Sequence, residues 1–298
     1  TNSPIYGAAS TLTYNTGGTF GRGFEWRALG VGTIGVTPGY PNNVIVQNNT
    51  TLDYINTLVP NAVGIKAIAG NLSIASGSAL NMDTGGVAAG GALIVGGTVN
   101  VNGPAGALRL GTGANDDLKI GGNFFVTTTA TFDGKQRKVF FTNNATTQFI
   151  AGPSITIPYL VFEPSSGSTS IALSATNLII SAPLGGNAIT FSGSGTDYLD
   201  INSQTLTIGT AGVANVISGT GFFRGGISST NSSLTLLGTG SIGTLTFSPV
   251  YENLKTFTVN RTGGAVACTM GSQLTVTSTM NLTAGIVDLN ASTFTLNS

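Results

Sequence analysis

Leu199-Asp-Ile-Asn-Ser-Gln-Thr-Leu-Thr-Ile208 returns about 88 residues later (287 less 199) as Val287-Asp-Leu-Asn-Ala-Ser-Thr-Phe-Thr-Leu296. Asp200, Asn202, Thr205 and Thr207 fall on Asp288, Asn290, Thr293 and Thr295. Each stretch closes on alternating Thr and apolar residues, the period of a strand with one buried face. Each opens on Asp-x-Asn, a turn signal, because both side chains bond nearby main chain and tolerate left-handed backbone. Upstream, Asn177-Leu-Ile-Ile180 pairs with Gln273-Leu-Thr-Val276 at an offset of about 96 (273 less 177), and Asn71-Leu-Ser-Ile74 is a weaker echo. The difference in offset is absorbed by a Gly-rich insertion around Gly185 to Gly195. Such drift is tolerated where each unit touches only its neighbours, as in a solenoid.

The rest of the chain extends the pattern. Asn43-Val-Ile-Val46, Gly64-Ile-Lys-Ala-Ile68, Ala79-Leu-Asn-Met82, Ala92-Leu-Ile-Val95, Thr98-Val-Asn-Val101, Ala107-Leu-Arg-Leu110 and Asp117-Leu-Lys-Ile120 read as short strands. Gly85-Gly86, Gly90-Gly91, Gly96-Gly97 and Gly121-Gly122 punctuate them, and almost nothing reads as helix. Links so short leave antiparallel hairpins in a sandwich or stacked parallel coils, and the internal matches decide for the coils. The expected fold is all-β: an elongated, right-handed parallel β-helix (β-solenoid) with coils of roughly 20 to 25 residues stacked about 4.8 Å apart. Residues 1–50, with Trp26 and three of the ten prolines, are expected to form an N-terminal capping or connecting segment. Stacking is expected from Pro41, and residues 51–298 are expected to form the coils, open at the C-terminal end.

Charge is the compositional outlier. Only 7% of the 298 residues are charged, eleven bases against eleven acids, where roughly 25% is usual. No electrostatic case exists for nucleic acid. The Val87–Val101 tract is broken by glycines and too short to span a bilayer as a helix, so no direct membrane insertion is expected. Solubility falls to Thr, Ser, Asn and Gly, which outward strand positions carry without like-charge repulsion between layers. Corner asparagines Asn100, Asn102, Asn202 and Asn290 are expected to stack as amide ladders. There is no histidine and one cysteine. Cys268 alternates with Val266 and Met270 and reads as a small core residue.

No catalytic residue and no metal site is assigned, and no cofactor is expected. The acids are scattered. Asp116-Asp117 is the only adjacent pair, and strand alternation sends its members to opposite faces. Calcium at Asp116 and Asp117, or at Asp197 with Asp200, is the weaker reading. Two clusters are candidates for glycan contact. Phe24, Trp26 and Arg27 combine aromatic faces with a cation, against the plainer reading of a cap. Lys135, Arg137 and Lys138 form the one basic run, against the plainer reading of a solvated turn.

Thr131-Phe-Asp-Gly-Lys-Gln-Arg-Lys-Val-Phe-Phe141 followed by Gln148-Phe-Ile-Ala-Gly152 resembles a phrase repeated in very large Bacteroidetes surface proteins. Phe257-Thr-Val-Asn-Arg-Thr262, Met280-Asn-Leu-Thr-Ala-Gly285, Leu12-Thr-Tyr-Asn-Thr-Gly-Gly18 and Gly39-Tyr-Pro-Asn-Asn-Val44 are similar to modules of the same group. The resemblance implies a secreted β-helical repeat adhesin, exported by the type IX system and akin to gliding-motility adhesins. It offers no catalytic residue. The expected function is therefore a non-enzymatic, extracellular stalk or filament segment at a bacterial cell surface. Its expected partners are further repeats of the same chain, neighbouring subunits, or surface glycans. The alternatives are a glycan-binding or glycan-cleaving β-helix and a virus tail-fibre-like protein.

Overall fold

The structure is a computed structural model that describes residues 2–55, 63–83, 89–228, 230–263 and 266–297. Short strands joined by turns make up the described chain, with one 3-10 turn at Phe24–Trp26. The strands pair in parallel with their counterparts one coil away, so the chain is a β-solenoid. It divides into two compact units, Thr1–Phe140 and Phe141–Ser298.

In the first unit each complete coil visits three faces. The first face stacks Thr11–Tyr14, Asn43–Val46, Leu72–Ile74, Val99–Val101 and Phe124–Val126. The second stacks Thr19–Gly21, Thr51–Asp53, Ala79–Asn81, Ala107–Arg109 and Thr131–Asp133, and the third Lys66–Ile68, Leu93–Val95 and Leu118–Ile120. Alternation sends like residues inward on top of one another. Val44, Leu72, Val99 and Phe124 form one dry column, and Leu52, Leu80 and Leu108 another. Each such side chain is worth roughly 1.5–3 kcal/mol of burial. The turn from first to second face uses left-handed residues in successive coils: Asn48 and Asn49 (φ 58° and 54°), Gly77 (73°), Ala105 (59°) and Thr129 (66°).

In the second unit, Ser154–Ile157, Asn177–Ile180, Thr205–Ile208, Ser233–Thr239, Asn253–Thr262, Leu274–Ala284 and Phe294–Leu296 stack in that order on one face. The two matched sequence stretches end in strands four layers apart in this sheet. Their turns also agree: Asn202 and Ser203 (φ 48° and 63°) correspond to Asn290 and Ala291 (43° and 62°). Asp200 and Asp288 each accept the N–H of that Asn, at 2.9 and 3.0 Å. A ring column, Phe162, Phe191, Phe223 and Phe247, runs through the interior with centroids 4.7, 5.9 and 6.0 Å apart.

Several expectations change. Stacking begins at Thr11, paired to Asn43, inside residues 1–50 and ahead of Pro41. The Leu12-Thr-Tyr run is a first-coil strand, and the irregular segment is the one between Gly21 and Asn43. Coil length varies more widely than expected: Val44 lies on Leu72, Leu72 on Val99 and Val99 on Phe124, intervals of 28, 27 and 25 residues by difference of position. Leu274 on Phe294 is 20. The Gly85-Gly86 turn lies outside the described residues.

The asparagine ladders take another form. Asn100 stands mid-strand between Ser73 and Phe125, so no amide stacks on it. Asn102 and Asn202 donate their amide N–H groups to carbonyls one coil earlier, Ile74 (3.2 Å) and Leu173 (2.8 Å). An amide gains more from a main-chain carbonyl already facing it than from a second mobile amide. The ladder that does form runs along the start of the first face. Asn71 N–H donates to Asn43 Oδ1 (2.9 Å), Thr98 N–H to Asn71 Oδ1 (2.8 Å) and Asn123 N–H to Thr98 Oγ1 (3.2 Å).

Candidate functional site

Several ionisable side chains point into the coils. Asp116 is fully buried and accepts the N–H groups of Ala89 (3.1 Å), Gly91 (3.0 Å) and Gly113 (2.8 Å). Asp197, equally buried, accepts those of Thr169 (2.7 Å) and Gly193 (2.8 Å). Asp117 faces the other way, takes the N–H of Lys138 at 2.9 Å, and has its carboxyl pushed up by burial. The paired acids are thus spent on backbone donors that would otherwise lose about 1–3 kcal/mol each. Among the described residues no group of three or more metal-ligating side chains forms.

Of the predicted glycan contacts, Trp26 is a correction. It has no exposed surface, its Nε1–H donates to the Ala67 carbonyl at 3.0 Å, and Tyr54 meets it edge-on at 6.0 Å. A ring buried this way fills the core of the irregular segment and offers no face to a sugar. Phe24 and Arg27 stay half-buried, with the guanidinium stacked on the phenyl ring 5.4 Å from its centroid.

Lys135, Gln136 and Arg137 line a hollow of about 230 Å3 with Thr112. They sit on the predicted turn, closed by Arg137 N–H to the Gly134 carbonyl at 2.9 Å. Lys135 pairs with Asp133 at 2.7 Å and Arg137 donates to the Gly113 carbonyl at 2.8 Å. Lys138 is exposed but is not part of that hollow.

A second cluster was not singled out from the sequence. Strands Asp197–Asp200 and Gly221–Arg224 pair so that Asp200 faces Arg224 and Tyr198 faces Phe222. Arg224 leans diagonally over Tyr198, its guanidinium carbon 3.6 Å from that ring's centroid, while Tyr251 covers it at 4.7 Å. Its Nε is buried without a hydrogen-bond partner. Tyr198 is anchored by its hydroxyl to Thr147 Oγ1 at 3.3 Å. Asp200 uses one oxygen on Asn202 N–H, and burial raises its carboxyl despite that bond and the Arg224 charge. Beside them opens a hollow of about 240 Å3, lined by Asp200, Asn202, Ser203, Thr230 and Tyr251 among others. Alternation in Tyr198-x-Asp200 and Phe222-x-Arg224 marks these residues as outward. Only coil closure brings Tyr251 to them.

Cys268 is buried, and burial pushes its thiol up to about 12. At pH 8 the native thiol should react with a disulfide reagent more than about a hundredfold slower than the same thiol in urea. Equal rates would show an open core at this position.

The chain matches no family model, no curated protein and no solved structure.

Proposed function

We propose that this chain is a non-enzymatic structural and adhesive segment of an extracellular bacterial surface protein, a piece of stalk or filament. The observation that carries the reading is how its few charges are used. Arg22, Asp116, Asp197 and Arg261 are all buried, and among the described residues their side-chain hydrogen bonds run mainly to backbone groups, several of them a coil away. Catalytic β-helices need the opposite, acids converging on a cleft with tuned protonation. What remains outward is mostly Thr, Ser and Asn on a stacked backbone, a surface suited to persist outside a cell. The resemblance to gliding-motility adhesins supports the same reading, including export by the type IX route.

Antiserum raised against the chain should label intact, unpermeabilised cells of the organism that makes it. Labelling only after lysis would overturn the surface assignment. Incubation with bacterial, algal and plant polysaccharides should release no reducing ends above a protein-free control, and saturable release would overturn the non-enzymatic assignment.

A further inference from the structure

We infer that the hollow at Arg27, in the irregular segment between Gly21 and Asn43, is a binding site for a uronate sugar, with Arg27 taking its carboxylate.

Arg27 itself lines this hollow of about 340 Å3, together with Ser3, Ala28, Leu29 and Pro38. Separate stretches of chain are pinned to one another to make it. Ala28 N–H donates to the Gly39 carbonyl at 3.1 Å, and Gly39 N–H to the Pro4 carbonyl at 2.7 Å. Gly39 has φ 68°, and a Cβ there would lie 2.8 Å from the Arg27 main-chain nitrogen, so glycine is needed for that approach. Gly30 N–H, bonded to the Ile65 carbonyl at 3.2 Å, ties the same segment to the start of the third face. The walls are thus in place before any ligand arrives, which lowers the cost of binding.

The ligand class follows from an unspent cation. Lys135 is paired with Asp133, Arg109 bonds the Asn81 side-chain oxygen, and Arg137 bonds the Gly113 carbonyl. Among the described residues the Arg27 side chain has neither a hydrogen bond nor an ion pair, and its guanidinium rests on the Phe24 ring, 5.4 Å from the centroid. Glu25 spends its Oε1 on the Gly23 N–H at 2.7 Å and the Tyr14 hydroxyl at 2.9 Å instead. Stacking occupies a face of the guanidinium and leaves its edge donors for a ligand. A planar carboxylate is the acceptor that such a fork meets with two parallel bonds. One cation balances one negative charge, which favours a carboxylate over a doubly charged phosphate. Ala28, Leu29 and Pro38 are apolar, and the last two are exposed, a wall suited to the C–H face of a pyranose ring. The Ser3 hydroxyl can donate to or accept from a ring hydroxyl. The volume suits one sugar residue rather than an extended chain.

The inference rests on the adhesive part of the proposed function and fails separately from it, since surface labelling does not depend on this site. The experiment is a titration of the 15N-labelled full chain with methyl β-glucuronide, methyl β-glucoside, a glucose sulfate ester and inorganic phosphate. It follows the Arg27 Nε–H resonance, assigned by its disappearance in Arg27→Lys, and the Ala28 and Leu29 amides. The glucuronide should shift all three saturably in the millimolar range. The glucoside, with a hydroxymethyl group in place of the carboxylate, should bind at least about tenfold more weakly. Arg27→Gln should abolish the Ala28 and Leu29 shifts while leaving amides of the other coils where they were. Ser3→Ala should weaken glucuronide binding severalfold. No saturable shift with the glucuronide up to about 100 mM, a range well beyond useful single-site affinity, would overturn the proposal. So would equal binding of the glucoside, or glucuronide binding that survives Arg27→Gln and therefore lies elsewhere. Tighter binding of the sulfate ester or phosphate would also overturn it, marking a general anion site.

Discussion

Arg261→Leu should strip hydrogen-exchange protection from the strands around Asn215, Leu237 and Arg261 and cost about 3–5 kcal/mol of local stability. Arg261 is buried, and among the described residues no carboxylate pairs with it. Its Nε donates to the Gly240 carbonyl at 2.9 Å, and its Nη2 to the Asn215 and Thr239 carbonyls at 2.9 and 2.8 Å. Its Nη1 reaches the Leu237 carbonyl and the Asn215 side-chain oxygen. One side chain thereby fastens three successive stretches of chain. Gly238 leaves the space, since a Cβ there would lie 2.9 Å from the guanidinium. Leucine fills part of the volume but leaves those carbonyls without a donor, and they are main chain and cannot be dispensed with. Arg261→Lys, with three donors at one point, should lose less. Because coils couple mainly to neighbours, protection near Leu178 should change little. Unaltered exchange at Asn215 and Leu237 in the leucine variant would refute this role.

Lys66→Met should have the opposite sign, raising stability at pH 6 by on the order of 2 kcal/mol, with allowance for residual screening. Lys66 stands in an inward column with Leu93 and Leu118 and has no exposed surface. Among the described residues its Nζ reaches only the carbonyls of Val63, Gly64 and Ile65, each at a long 3.4 Å. Burial first, and then the Arg22 charge, push its ammonium down to about 7, against about 10.4 in an unfolded chain. Between those values the unfolded chain holds a proton that the folded chain has released, so stability rises with pH. Below pH 7 both states are charged and the full penalty stands. Above about pH 9 the raised Cys268 thiol works the other way, since the unfolded thiol ionises first. Melting temperature should therefore climb from pH 6 to 9 in the natural protein and lose most of that slope in Lys66→Met. A parallel pair of pH profiles would refute the assignment.

Lys66 also shows where sequence reading stopped. Gly64-Ile-Lys-Ala-Ile68 was legible as a strand, and alternation puts Lys66 on the same side as Ile68. That a lysine would occupy the inward side follows only from its register against Leu93. Trp26 shows the same thing in reverse. An aromatic flanked by arginines reads as a surface from its neighbours in sequence, yet Tyr54 and the Ala67 carbonyl, 28 and 41 positions away by difference of number, enclose it. Asp116 and Asp117 were readable as facing apart, because alternation is local. Their acceptance of N–H groups from Ala89 and Lys138 was not.

By itself the sequence determined that this chain is built of short parallel strands in stacked coils, with Asp-x-Asn turns, a core thiol and an outer surface of small polar residues. Those features rest on local backbone preference and on period-two alternation, which recur in every coil and so reinforce one another. Only the tertiary structure decided which residues of different coils meet. Those contacts span 19 residues (Cys268 to Val287) to 32 residues (Thr11 to Asn43) by difference of position in the strand pairings, across loops whose lengths differ from coil to coil. The register that closes each coil is therefore set by packing of the whole layer. That register buries Lys66 and Arg261, encloses Trp26, and brings Tyr251 over Arg224 to make the hollow that the strands on their own do not contain.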